Sequence, residues 1–172
     1  PLHPDPIEYC GINLGHKVLV PNPLYVMNFE KFLNLEGCDF KGRTLEQIWR
    51  YSDIQIEQIH DFIQIVFPLN RSSISNPHTH YLDDDTTIKR IQTNKSIKRN
   101  VIESSQWFLS FLKRNESWKS QYNHNHLRIT RIIECLRLIV SDEEANKFYK
   151  SILELSGHGK INKITLEFWQ NA

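Results

Sequence analysis

The sequence predicts an all-α fold: a single irregular bundle of about six to seven helices that follows an extended, proline-rich N-terminal arm. Apolar residues recur at three- and four-residue spacing through most of the chain after residue 24. Helix-start signatures precede several of these segments. Strand-like alternation is nearly absent, and "HKVLVP" is the only β-like run. With 172 residues, 40% hydrophobic and 24% charged, the chain is most simply one globular domain.

The prolines divide the chain into two parts. Residues 1–23 hold five of the seven prolines, which disfavour helix and predict an extended arm. Residues 24–172 hold the periodic segments and form the predicted helical domain.

In the first half, Tyr25, Phe29 and Phe32 are spaced as on one helix face. Thr44 with Gln47 makes a capping box before a short helix that ends near Tyr51. A second capping box opens a helix that Pro68 ends, and the apolar face of that helix is predicted from Ile56, Ile59, Phe62, Ile63 and Val66.

In the second half, three aspartates at residues 83–85 suit the positive end of a helix dipole. The longest helix is predicted over about 95–113, and another follows over roughly 124–140. Ser141 with Glu144 starts a helix that Gly157 stops as a C-terminal cap. A last short helix is predicted over about 162–170.

Charge and cysteine content bear on partners and compartment. Residues 1–85 carry six Lys/Arg and twelve Asp/Glu, whereas residues 86–137 carry eleven and three. A basic middle segment favours an anionic partner or an internal match to the acidic half. Three widely spaced cysteines, no apolar span of membrane length and no signal-peptide pattern favour an intracellular protein, cytoplasmic or nuclear.

The stretch "YNHNHLRITRIIECL", residues 122–136, contains the best candidate site. On a helix, His124, Arg128 and Arg131 lie at i, i+4 and i+7 and share one stripe. Asn123 or Asn125 is a suitable N-cap. Such a stripe at a helix start suits a carboxylate, a phosphate or a peptide C-terminus. The alternative is structural: the two arginines pair with acidic residues of neighbouring helices.

A second polar group lies in "IEQIHDFIQIVFP", where His60 and Gln64 are separated by four residues. Glu57 precedes His60 by three residues and is placed to orient it or to charge it. The alternative is structural: a capped, half-buried histidine bonded to neighbours on its own helix. Metal binding is not predicted. The rings of a His-x-His pair such as His124 and His126 point about 200° apart on a helix, so they do not chelate together. No cofactor is predicted either.

These two stretches together resemble the conserved domain of the opioid growth factor receptor family. Residues 56–69 resemble its His-x-x-Ile-Gln-Trp-Leu-Phe-Pro signature, with Ile65 where the family usually has Trp. Residues 124–136 resemble its His-Asn-x-Leu-Arg-Ile-Thr-Arg-Ile-Leu segment, and residues 28–49 resemble its opening block. The resemblance covers about residues 28–155. It implies an all-α domain and the binding of an opioid peptide.

The sequence therefore favours a ligand- or partner-binding, signalling module over an enzyme. The expected ligand is a peptide or small anion, or the partner is a protein, and Lys95, Lys98 and Arg99 would steer it. Nucleic acid is a variant, although no recognised binding motif is present. The predicted binding residues are His60, Gln64, His124, Asn125, Arg128 and Arg131.

The alternative is an enzyme acting on a phosphorylated or nucleotide-like substrate. In that case His60 and His124 would be the acid and base, and Arg128 and Arg131 would stabilise charge. Against this, the chain has no Gly-rich phosphate loop and no nucleophile elbow.

Overall fold

The computed structural model describes residues 27–72, 80–157 and 160–172. In these ranges the fold is all-α, as predicted, with nine α-helices, one π-helix and no strand. The predicted arm, residues 1–23, lies outside the described residues, as does "HKVLVP". The helices are α1 (Phe29–Leu33), α2 (Leu45–Trp49), α3 (Asp53–Gln58), α4 (Ile63–Val66), α5 (Asp85–Thr93), α6 (Lys95–Arg114), α7 (Asn125–Cys135), the π-helix (Leu136–Val140), α8 (Asp142–Ser156) and α9 (Lys163–Asn171).

Local capping chemistry sets several helix boundaries. Thr44 and Gln47 form a reciprocal capping box at the start of α2, and Ser52 and Gln55 form another at α3. Asn94 ends α5 and caps α6, because its side chain accepts hydrogen bonds from the first turn of α6. These boundaries follow from side chains that the sequence displays.

One helix predicted as continuous is broken. The segment from Ser52 to Pro68 forms α3 and α4, separated by residues 59–62, with Ile59 in extended backbone (φ −88°, ψ 125°). The apolar pattern does not reveal the break, because Ile56 and Phe62 on its two sides are both fully buried. The additional short helices in this half raise the number above the predicted six to seven.

The core lies around α6 and the continuous α7 and π-helix. Its large, fully buried side chains include Phe108, Phe111, Trp118, Phe148 and Trp169. The indole of Trp169 donates to the carbonyl of His126 at 3.1 Å, which fixes α9 against α7. The start of α7 is therefore attached to the core beneath it.

The π-helix extends α7 to Val140. Its terminal carbonyls are satisfied by neighbouring helices: Gln92 donates to the carbonyl of Leu138 at 2.7 Å, and Lys98 donates to that of Val140 at 3.2 Å. Within the described ranges, no helix has both the length and the apolar character needed to cross a lipid bilayer.

Candidate functional site

The break between α3 and α4 meets the start of α7 and forms the candidate site. His60 lies in the break and is exposed. His124 immediately precedes α7, and its side chain is 39% exposed. Their ring centroids are 5.4 Å apart, with the rings nearly perpendicular. Two imidazoles from distant parts of the sequence thus share one surface.

Arg128 lies beneath this pair and is only 5% exposed. Its Nη1 donates to the carbonyl of Ile56 at 2.8 Å and to Oδ1 of Asn125 at 3.1 Å. Its Nη2 donates to the carbonyl of Ile59 at 3.0 Å and to Nδ1 of His60 at 3.1 Å. The guanidinium therefore donates hydrogen bonds to carbonyls at the end of α3 that have no partner within the helix.

The charge of Arg128 has no direct counter-ion among the described residues, since none of their carboxylates lies within 4.0 Å of it. Burial lowers the pKa of Arg128 to about 10, and the more distant charge of Glu57 opposes this shift. The side chain is consequently still a cation at neutral pH.

Glu57 contacts the start of α7 instead of His60. Its Oε1 is 3.4 Å from Nε2 of His124, and its Oε2 accepts a hydrogen bond from Asn125 at 3.1 Å. Asn125 is buried and links Glu57 to Arg128. Neither predicted cap occupies the N-cap position, which is taken by His124 without a side-chain cap bond. Asn123, one residue earlier, accepts from the backbone N–H of Asn125 at 2.9 Å.

The hydrogen bonds determine the protonation of His60. Arg128 has no lone pair to offer, so Nδ1 of His60 must accept and the ring proton sits on Nε2. For His124, partial burial and the nearby charge of Arg128 lower the pKa, against the opposing charge of Glu57. The lowered pKa favours the neutral form of the His124 ring at neutral pH.

Of the other two predicted site residues, Arg131 lies on α7 and reaches the end of α4, and Gln64 lies on α4 itself. Arg131 donates through Nε to the carbonyl of Phe67, just past α4, at 2.9 Å. Its Nη2 is buried and has no hydrogen-bond partner in the part of the chain that the structure describes. Gln64 is half-buried on α4 and forms no hydrogen bond with the other five predicted residues. The structure therefore brings together His60, His124, Asn125 and Arg128.

The two arginines bond to neighbouring helices, as the structural alternative expected, but their partners are main-chain carbonyls and not acidic side chains. Neither Arg128 nor Arg131 pairs with a described carboxylate; both donate to main-chain carbonyls at the ends of α3 and α4. Carbonyl acceptors have no side-chain signature, so sequence reasoning missed these partners.

A charged network on the other side of the break was also missed. Asp61 accepts from Arg43 at 2.7 Å and pairs with Lys41. Arg43 also donates through Nε to the buried carboxylate of Asp39 at 2.7 Å. Burial alone would raise the pKa of Asp61, but the hydrogen bonds from Lys41 and Arg43 outweigh it and lower that pKa. The neighbour of His60 is thereby fixed as a carboxylate.

The two other histidines that the structure describes, His80 and His126, do not join the site, and His80 packs against Phe40. His126 is buried, bonds to the carbonyl of Trp118 at 2.8 Å and packs edge-on against Trp169. Hence His124 and His126 face different surroundings, and no group of three metal-ligating side chains with suitable geometry occurs in the described ranges. Lys95 and Arg99 are exposed on α6, and the contacts described do not connect them to the His60–His124 pair.

In comparisons with known proteins, no protein-family model, no curated protein and no solved structure matches this chain.

Proposed function

We propose that this chain is a ligand- or partner-binding module that binds an anion at the surface formed by His60 and His124. The proposal is carried by one observation: the buried guanidinium of Arg128 lies beneath two exposed imidazoles, and no carboxylate of the described residues is in contact with that guanidinium.

The electrostatics favour a negatively charged group on this surface. A unit charge at ~6 Å from the guanidinium gains roughly 3 kcal/mol at an effective dielectric constant of about 20. Glu57 offsets part of that gain, because its carboxylate lies on the His124 side. The ring N–H of His60 provides a directional donor, which a carboxylate or phosphate oxygen accepts.

The ligand class proposed is a peptide or small molecule that carries a carboxylate or phosphate, or a protein that presents one. The resemblance of residues 28–155 to the opioid growth factor receptor domain supports a signalling role and makes an opioid peptide one candidate. The free, buried thiol of Cys135 supports an intracellular location. A nucleic-acid phosphate is a weaker candidate, because Lys95 and Arg99 are not connected to the site.

The test is isothermal titration calorimetry, which measures the affinity of the wild type and two variants for sodium sulfate, sodium acetate and an acidic peptide. His124→Ala removes one imidazole from the site, and His80→Ala is the matched control, since His80 packs on Phe40 elsewhere. We expect saturable binding in the wild type and the control, and at least tenfold weaker binding in His124→Ala. Equal affinities in all three proteins would overturn the proposal.

A second candidate function is an enzyme acting on a phosphorylated or nucleotide-like substrate. Acid–base catalysis uses two titratable groups close together, and the 5.4 Å separation of the rings, with Glu57 beside His124, satisfies this. Arg128 would stabilise charge, whereas Arg131 is bonded at the end of α4.

The catalytic candidate is tested with p-nitrophenyl phosphate and with a dinucleotide. Turnover that disappears in both His60→Ala and His124→Ala, and persists in His80→Ala, would support catalysis. Binding without turnover in the wild type leaves the binding module as the function.

A further inference from the structure

We propose that the site takes up its anion together with a proton, so that its affinity rises as the pH falls; this rests on the proposed function. The geometry behind it is the hydrogen bond between Nη2 of Arg128 and Nδ1 of His60.

That bond exists in only one protonation state of His60. Guanidinium nitrogens donate and never accept, so the bond requires the lone pair on Nδ1. An imidazolium has no such lone pair. When His60 takes up a second proton, the bond at 3.1 Å is lost and two cations face each other. The ring then turns away from Arg128, and one N–H of Nη2 is released.

The groups that face His60 define this response. From α7 this is Arg128, from the residue just before α7 it is His124, and from α3 the nearby carboxylate is Glu57. Within the break itself, Asp61 is held by Arg43 and Lys41 and is not free to pair with His60. A protonated His60 therefore lacks an internal carboxylate within the described contacts.

An oxyanion supplies the negative charge that the protonated His60 lacks within the described contacts. It accepts hydrogen bonds from the imidazolium of His60 and from the released N–H of Arg128, next to the ring of His124. The anion favours the protonated form, so binding draws a proton from the solvent onto His60. By linkage, uptake of one proton makes the affinity change by about tenfold per pH unit.

The test measures sulfate affinity between pH 5.5 and pH 8, because sulfate remains doubly charged throughout. His60→Asn is the informative variant: its amide oxygen can accept from Arg128 as Nδ1 does, but it takes up no proton. We expect affinity to rise on acidification in the wild type, with the slope reduced by about one proton in His60→Asn. His80→Asn is the matched control and keeps the wild-type slope.

The outcomes separate the two proposals. If the wild type binds no sulfate at any pH, the proposed function fails. If sulfate binds and the pH slope is the same in wild type and His60→Asn, the anion site stands and proton-coupled binding is overturned. A second measurement needs no ligand: nitrogen NMR of His60 at pH 8 should show an unprotonated Nδ1. A hydrogen on Nδ1 would overturn the inference even if His60→Asn did not fold.

Discussion

Arg128 holds the break between α3 and α4 in place, and replacing it with methionine tests that role. Arg128→Met keeps an apolar stem of similar length but removes every donor. The carbonyls of Ile56 and Ile59 and the amide oxygen of Asn125 then lose their partner. The Phe62 ring also loses the guanidinium, which lies 5.5 Å from its centroid.

The magnitude follows from how deeply these acceptors are buried. A buried acceptor without a partner costs about 1–3 kcal/mol. The bond to Ile56 is buried, whereas that to Ile59 is partly exposed, so water can compensate there. We therefore expect the free energy of unfolding to fall by about 2–4 kcal/mol, with the carbonyl of Ile59 contributing close to the lower limit of the range for one acceptor.

The assay is urea unfolding at pH 7.5 followed by tryptophan fluorescence. The matched control is Arg114→Met, which removes an exposed ion pair to Asp53 and should cost less than about 1 kcal/mol. If Arg128→Met destabilises the fold no more than Arg114→Met does, then the carbonyls do not depend on Arg128 and the reasoning is refuted.

Three further predictions concern stability. Burial lowers the pKa of both His124 and His126 in the folded protein. Their contribution to the free energy of unfolding is therefore fully present above the ordinary histidine pKa of about 6.5 and is lost as the pH falls through the lowered values. A urea midpoint that does not change between pH 8 and pH 5.5 would contradict this. Gly157→Ala should lower the free energy of unfolding by about 1–3 kcal/mol in chemical denaturation, because φ of +66° with ψ of 165° is a backbone conformation that alanine rarely adopts. The cost comes from the backbone alone, since an added Cβ would meet no atom within 4 Å, and an unchanged midpoint would show that the backbone relaxes. Thr44→Ala removes one half of a capping box and should cost about 1 kcal/mol, whereas Thr44→Ser should retain most of it.

The sequence predicted those parts of the fold that local chemistry determines. The capping boxes at Thr44 and Ser52 carry their own start signals, and the structure begins α2 and α3 there. The long helix predicted over 95–113 is α6, Lys95–Arg114, because its apolar face is continuous and its cap, Asn94, precedes it directly.

The break at residues 59–62 could not be predicted, because tertiary contacts hold it. Apolar spacing continues across it, while the bonds that stabilise it come from Arg128 on α7 and from Arg43 to Asp61. For the same reason, sequence reasoning placed His60 and Gln64 on one helix, whereas His60 lies in the break and Gln64 on α4.

The candidate site was predictable in its residue types but not in their partners. Helical spacing placed His124 and Arg128 on one stripe, and the structure brings His60 to the same place. Helical spacing did not show that Arg128 is buried and that both of its Nη groups already donate hydrogen bonds. The exposed part of the site is consequently the pair of imidazoles, with the guanidinium acting from beneath.

The most direct test of the anion site is a sulfate titration of the isotopically labelled protein, followed by backbone amide NMR at pH 6.5. We expect saturable shifts confined to residues 59–62 and 123–128, with none at the basic N-terminal turn of α6. Saturable shifts at Lys95 and Arg99 instead, or no saturable shift at either place, would contradict an anion site at His60 and His124.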